Sequence, residues 1–165
     1  MTDPLLNELH QEAAITRRVL ERVPGDKLEW RPHPKSMSLG QLAMHVASIP
    51  GNLSGLVQAD EFDASQANFT PPSPSSVEEI LTAHDESLRA AQDYLGGMDE
   101  QTARESWRLT FKGKEVFTAP RGGVIRSLML NHWYHHRGQL SVYLRLLDVP
   151  VPVIYGRSAD ENPFA

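Results

Sequence analysis

Residues 124–147 read VIRSLMLNHWYHHRGQLSVYLRLL, the longest stretch of helical periodicity in the chain. Ile125, Met129 and Tyr143 recur on one face of that helix. At about 100° per residue, His132 and His136 lie only about 40° apart and fall on the same face. The stretch therefore predicts an amphipathic helix that directs two imidazoles into the protein interior.

Two earlier stretches have the same periodicity. The first is expected to begin at Asp3, a good N-cap, and to stop at Gly25, since glycine suits a helix C-cap. The second begins at Ser38, which forms a capping box with Gln41 three residues later. Pro50-Gly51 is expected to kink or interrupt this second helix.

The middle of the chain predicts one more helix and two non-helical segments. Residues 60–74 mix Asp, Ser, Asn and Pro, which is typical of loops. A third helix is predicted from Ser76 to Gly96-Gly97. Between Trp107 and Thr118 the spacing changes to one that predicts a short hairpin or irregular excursion. Together the four helices predict an all-α bundle, in which metal sites form from side chains on facing helices.

Composition narrows the classes of protein. The 165 residues fit a single domain spanning 1–165. A net charge of −5 argues against nucleic-acid binding, and the sequence has no cysteine, so any metal ligands must be nitrogen or oxygen. No apolar run is long enough for a membrane span and no signal-peptide pattern begins the chain, so a cytoplasmic protein is expected.

A third metal ligand is predicted on the second helix. His45 lies between Leu42 and Ile49 on its apolar face. Together with His132 and His136 it could hold one ion from one side and leave positions open for water or substrate. The alternative is that these histidines are hydrogen-bonded core residues that merely satisfy one another.

Other polar residues carry weaker predictions. His84 lies centrally on the third helix and could be a ligand or a pocket residue. Gln139 shares the inward face with the histidine pair and could orient a ligand, although a buried amide bonded to backbone is an equal alternative. Arg137 and Arg145 point away from that face and are predicted to lie on the surface or at a subunit interface.

These motifs resemble the DinB/YfiT-like superfamily. The most specific piece runs from Asn131-His132 through His136-Arg137-Gly138-Gln139-Leu140, with His45 upstream. Trp30-Arg31-Pro32 and the segment from Tyr155 to Glu161 extend the resemblance over essentially the whole chain. The resemblance implies an up-down-down-up four-helix bundle, usually homodimeric, with a three-histidine site for zinc, nickel, manganese or iron.

The resemblance also bears on function, because the superfamily includes metal-dependent transferases that use bacillithiol or mycothiol. It implies a metal-dependent S-transferase or hydrolase that acts on a small molecule in stress or detoxification metabolism, with a low-molecular-weight thiol as a second cofactor. The glutamate of an HExxH protease is absent from His132-Trp133-Tyr134-His135-His136, so a zinc protease is not indicated. The alternative is a non-catalytic metal-binding protein of the stress response.

Overall fold

The computed structural model describes residues 2–164, with side chains from Pro4 onward. Within that range the chain forms helices α1 (Thr2–Leu20), α2 (Leu39–Leu56), α3 (Val77–Gly97), α4 (Glu100–Arg104), α5 (Arg121–Val124) and α6 (His132–Leu146). A π-helical segment, Ile125–Asn131, joins α5 to α6. The strands are β1 (Glu61–Asp63), β2 (Ser106–Phe111) and β3 (Lys114–Pro120).

The predicted all-α four-helix bundle is wrong, because the described residues also form a three-stranded mixed sheet. Its order is β1-β2-β3, with β1 parallel to β2 and β2 antiparallel to β3. Residues 60–74 have loop composition, yet Glu61–Asp63 pair with the outer edge of β2. The backbone groups of this segment pair with a strand that is distant in the sequence. The composition of a short segment does not reveal such a partner.

The hairpin predicted between Trp107 and Thr118 is confirmed by β2 and β3. Their turn is Lys112-Gly113, with φ values of 53° and 73°. A two-residue hairpin of this type needs positive φ at both positions, which glycine adopts without steric cost. Trp107 is buried, so the hairpin packs its indole into the core rather than projecting into solvent.

Helix α1 ends at Leu20, not at the predicted Gly25. Pro24 disfavours the helical conformation of the residue before it, and the chain turns over Glu21 and Arg22 instead. The N-cap predicted for Asp3 depends on a side chain outside the described residues. At the other end of the chain, the predicted long helix corresponds to α5, the π-helical segment and α6 in series.

Helix α2 begins as predicted, with a reciprocal capping box. The Ser38 hydroxyl accepts a bond of 3.2 Å from the Gln41 backbone, and the Gln41 side chain accepts one of 3.0 Å from the Ser38 backbone. The helix runs through Pro50 to Leu56, so the predicted interruption does not occur. Gly51 donates its backbone N–H to the Ser87 hydroxyl at 2.7 Å, which joins α2 to α3.

Apolar faces of α1, α2, α3 and α6 enclose the core. Its buried side chains include Trp107 and Trp133, together with leucines from each of these helices and isoleucines from α2 and α3. In the described part of the chain, no helix combines the length and the apolar character needed to cross a membrane.

Candidate metal centre

The structure brings His45, His132 and His136 together. His45 comes from the middle of α2, and the other two come from consecutive turns of α6. The Nε2 atoms of His45 and His132 are 3.0 Å apart, and one nitrogen from each of the three rings lies within 4.8 Å of the others. All three rings are half-buried. This cluster could hold a metal ion.

The donor set fits a divalent cation. Two nitrogens that are each about 2.1 Å from one ion lie about 3.0 to 3.4 Å apart, the range expected for octahedral to tetrahedral angles. The separation of the His45 and His132 nitrogens, 3.0 Å, matches that range without rearrangement. Neutral imidazoles suit zinc, nickel and iron, and three of them leave coordination positions open.

A buried indole sets the register between α2 and α6. Trp133 donates its Nε1–H to the backbone carbonyl of Val46 at 2.9 Å. Each of these residues is the immediate neighbour of a histidine in the cluster, so this bond holds His132 opposite His45. The Val46 carbonyl is available because Pro50, four residues later, has no N–H to donate to it.

Gln139 contacts the cluster through His136. Its side-chain oxygen lies 2.7 Å from His136 Nδ1, one turn further along α6. With the amide oxygen facing the ring, Nδ1 carries the proton and Nε2 keeps a free lone pair. Gln139 is exposed and bonds a ring nitrogen, which is the orienting arrangement rather than a buried amide bonded to backbone.

The environment keeps the cluster uncharged. Burial, followed by the proximity of His136 and His132, lowers the pKa of His45 to about 4. Burial also lowers the pKa of His132 and of His136. Neutral rings at neutral pH are the form that binds metal, because a protonated nitrogen has no lone pair.

His84 lies apart from the cluster. Its ring is fully buried and packs 6.2 Å from the Trp133 ring, and neither ring nitrogen forms a hydrogen bond with a described residue. Burial lowers the pKa of His84, opposed by the nearby backbone of Ala13 and by the charge of Asp85. The structure places His84 in the core behind Trp133, whereas His135 is exposed.

Arg137 was predicted to lie on the surface, and the structure shows that it is only 1% exposed. Its guanidinium forms an ion pair of 2.6 Å with Glu12 and donates to the Thr16 hydroxyl at 3.0 Å. It also bonds the Tyr155 hydroxyl, which itself donates to Glu12. This network fixes the residue after His136 to α1 and to the C-terminal segment, and helix periodicity contains no signal for it.

Arg145, by contrast, is exposed and pairs with Asp160. It therefore holds the same C-terminal segment from the surface side of α6. The Asp160 carboxylate also accepts the Val151 backbone N–H at 2.9 Å.

A cavity of about 450 Å³ adjoins the cluster on the side of His45. Its walls are the face of α2 that follows His45, Phe62 of β1, and residues 67–72. The composition of residues 60–74 did not indicate that this segment covers part of a cavity. A coordinated molecule that extends from His45 along α2 would enter this space.

A sequence model of the DinB family matches residues 1–162. The chain belongs to the DinB family. This membership confirms the resemblance drawn from the histidine motif and its surroundings.

Individual DinB relatives are distant. The uncharacterized protein YrdA of Bacillus subtilis is 26% identical over 160 residues, which cover 96% of this chain and 90% of YrdA. A crystal structure of a DinB-like protein from Bacillus cereus superposes with a TM-score of 0.67 at 22% identity, covering 91% of this chain and 95% of the other. The DinB-like protein YjoA of B. subtilis gives a TM-score of 0.70 at 15% identity, with coverages of 91% and 96%. These two structures show likeness of fold alone.

Proposed function

We propose that this DinB-family protein is a metal-dependent enzyme whose divalent ion is held by His45, His132 and His136. The observation that supports it best is the convergence of three half-buried imidazoles, two of them with Nε2 atoms 3.0 Å apart, beside a cavity. A purely structural site would be closed by a fourth protein ligand, whereas among the described residues three candidate ligands lie together.

The proposed reaction is attack of a thiol or of water on an electrophilic small molecule. A carbon–sulfur or carbon–oxygen bond forms, the nucleophile gives up its proton to solvent, and either a leaving group such as chloride departs or an epoxide C–O bond opens. A bound divalent cation supplies positive charge that lowers the pKa of a coordinated thiol or water. The protein would contribute the geometry: Trp133 aligns the helices, and Gln139 keeps His136 in the tautomer that leaves Nε2 free. Because the sequence has no cysteine, a thiol nucleophile would come from a low-molecular-weight cofactor.

The metal content of the purified protein and its variants tests whether the three histidines are the metal ligands. The purified wild-type protein is expected to retain about one equivalent of zinc, nickel, manganese or iron by mass spectrometry after dialysis. Replacement of His45, His132 or His136 by Ala should abolish retention. His135→Ala is the matched control, because this histidine is exposed on the same helix and should retain the metal. Retention by all three ligand variants would exclude the site.

Measurements of substrate turnover test whether the protein is a metal-dependent enzyme. Electrophiles such as chlorodinitrobenzene and epoxides would be offered with a panel of thiols, bacillithiol and mycothiol included, to metal-loaded and metal-free protein. Metal-dependent turnover that is lost in His136→Ala and kept in His135→Ala supports the proposal. A protein that retains metal in the three-histidine site yet turns over none of these pairs is instead the non-catalytic binder.

A further inference from the structure

We infer that the cavity bounded by His45, Phe62 and residues 67–72 is a binding subsite for an uncharged, mainly apolar small molecule that presents its reactive group to the metal centre. This inference rests on the proposed function and names the class of substrate. Two observations support it: the side chains that line the cavity are mainly apolar, and the acidic side chains near it are paired with other groups.

The cavity walls are mainly apolar. Leu53 and Leu56 of α2 and Phe62 of β1 are half-buried and line it, and Phe69 stands over it with 70% of its surface exposed. A volume of about 450 Å³ is within the range of small-molecule sites, which are mostly apolar with a few placed polar groups. Transfer of an apolar ligand surface from water to these walls would provide the driving force.

The polar groups of the cavity are neutral. Ser48 donates its hydroxyl to the Met44 carbonyl at 2.8 Å, which leaves its oxygen free to accept a bond. The Asn52 amide is exposed at the same wall and offers both a donor and an acceptor. Such groups recognise a carbonyl, amide or hydroxyl of a ligand, not a full charge.

Nearby acidic side chains are turned to other partners. Asp60 pairs with Arg121 at 2.8 Å, and Glu61 pairs with Arg108. Asp63 accepts backbone N–H groups from Ser65, Lys112 and Gly113. Apart from titratable His45, no charged side chain is among the described residues that line the cavity.

An ionic ligand would therefore be disfavoured there. In the metal-free protein, a carboxylate, sulfonate or ammonium group that entered the cavity would lose hydration without gaining an opposite charge. The subsite should therefore bind an uncharged molecule more tightly than a charged molecule of similar shape.

Two fluorescent probes share one ring system and differ by one sulfonate: uncharged N-phenyl-1-naphthylamine and anionic 1-anilinonaphthalene-8-sulfonate. The metal-free full-length protein would be titrated with each. The uncharged probe is expected to bind with a Kd at least tenfold lower than the anionic probe. Equal binding of both probes, or tighter binding of the anion, would overturn the inference.

Matched variants map the bound probe to the cavity. Asn52→Asp adds a charge to the wall, and Phe69→Ser removes an exposed apolar group, so each should weaken binding of the uncharged probe severalfold. Asn7→Asp and Phe164→Ser make the same changes at exposed positions outside the cavity and should leave binding unchanged. Equal effects in test and control variants would place the probe elsewhere and reject the inference.

The relation to the metal centre is tested separately. Protein loaded with Co²⁺ should quench the bound uncharged probe relative to protein loaded with Zn²⁺, because a paramagnetic ion quenches only at short range. A bound probe with equal fluorescence in both would show that the cavity does not serve the metal. Failure to retain either ion would instead reject the proposed function, while the charge comparison on metal-free protein would still decide what the cavity binds.

Discussion

The indole Nε1–H of Trp133 bonds the Val46 carbonyl at 2.9 Å, so the neighbours of His132 and His45 are hydrogen-bonded across the α2–α6 interface. The acceptor is a carbonyl that a helix without a proline would use internally, and Pro50 leaves it free. A proline inside α2 therefore provides the contact that aligns the candidate metal ligands.

This hydrogen bond predicts that substitutions of Trp133 and Pro50 have non-additive effects on the free energy of unfolding. Trp133→Phe should lower the free energy of unfolding by about 1 to 3 kcal/mol, because it leaves a buried carbonyl without its donor. In a Pro50→Ala background the new N–H can bond Val46, so the same Trp133→Phe change should cost less. Urea denaturation of the two single variants and the double variant measures the coupling. Strictly additive effects would contradict this account.

Gln139 is predicted to tune metal affinity without supplying a ligand. Gln139→Ala removes the acceptor 2.7 Å from His136 Nδ1 and should weaken zinc binding about 10- to 100-fold. Gln139→Glu keeps an acceptor at the same position and should retain most of the affinity. Competition with a chromogenic chelator gives both values. Gln101→Ala, at another exposed glutamine, is the control. An equal loss of zinc affinity in that variant would contradict the predicted role of Gln139.

Gly51 is predicted to be essential for the close approach of α2 and α3. A Cβ added there would lie 2.8 Å from the Ser87 Cα, a backbone atom that cannot move without displacing α3. Gly51→Ala should therefore destabilise the protein by about 1 to 3 kcal/mol, measured by thermal or chemical denaturation.

Gly55, one turn later in α2, provides the matched control for Gly51. No atom lies within 4 Å of an added Cβ at Gly55. Gly55→Ala should raise stability by about 0.5 to 1 kcal/mol, because alanine loses less backbone entropy in a helix. Similar effects of the two alanines would contradict the packing argument.

The metal-free protein should lose stability in acid through its histidine cluster. The pKa of His45 is about 4 in the folded protein and about 6.5 in the unfolded chain. Between these values the unfolded chain binds the proton and the folded protein does not, so stability falls as the pH decreases from about 6.5 to about 4. His132 and His136, whose pKa values are also lowered, should add to the same trend.

Thermal denaturation of metal-free protein between pH 4 and pH 7 measures this loss. His45→Gln removes one titrating group and should show a shallower decline. A wild-type midpoint that is independent of pH across this interval would contradict the predicted coupling. Metal-loaded protein should release its ion over the same interval, since protons compete for the imidazole nitrogens.

The local part of this structure could be predicted from the sequence because helices encode it in short-range patterns. Periodicity placed His45 on α2 and His132 and His136 on α6, and the Ser38 capping box marked where α2 begins. The hairpin at Lys112-Gly113 was visible in its apolar spacing. Each of these features depends on residues a few positions apart, whose geometry a helix or a tight turn determines directly.

Short-range sequence patterns were therefore sufficient to locate the main helices, the histidines on them and the nitrogen donors available to a metal. Three features became visible only in three dimensions: Glu61–Asp63 joins a sheet, Arg137 is buried against Glu12, and residues 67–72 line one side of a cavity. These features pair groups that are distant along the chain. Their partners satisfy backbone or charged groups that would otherwise be buried alone, and local periodicity does not specify which distant group that partner will be.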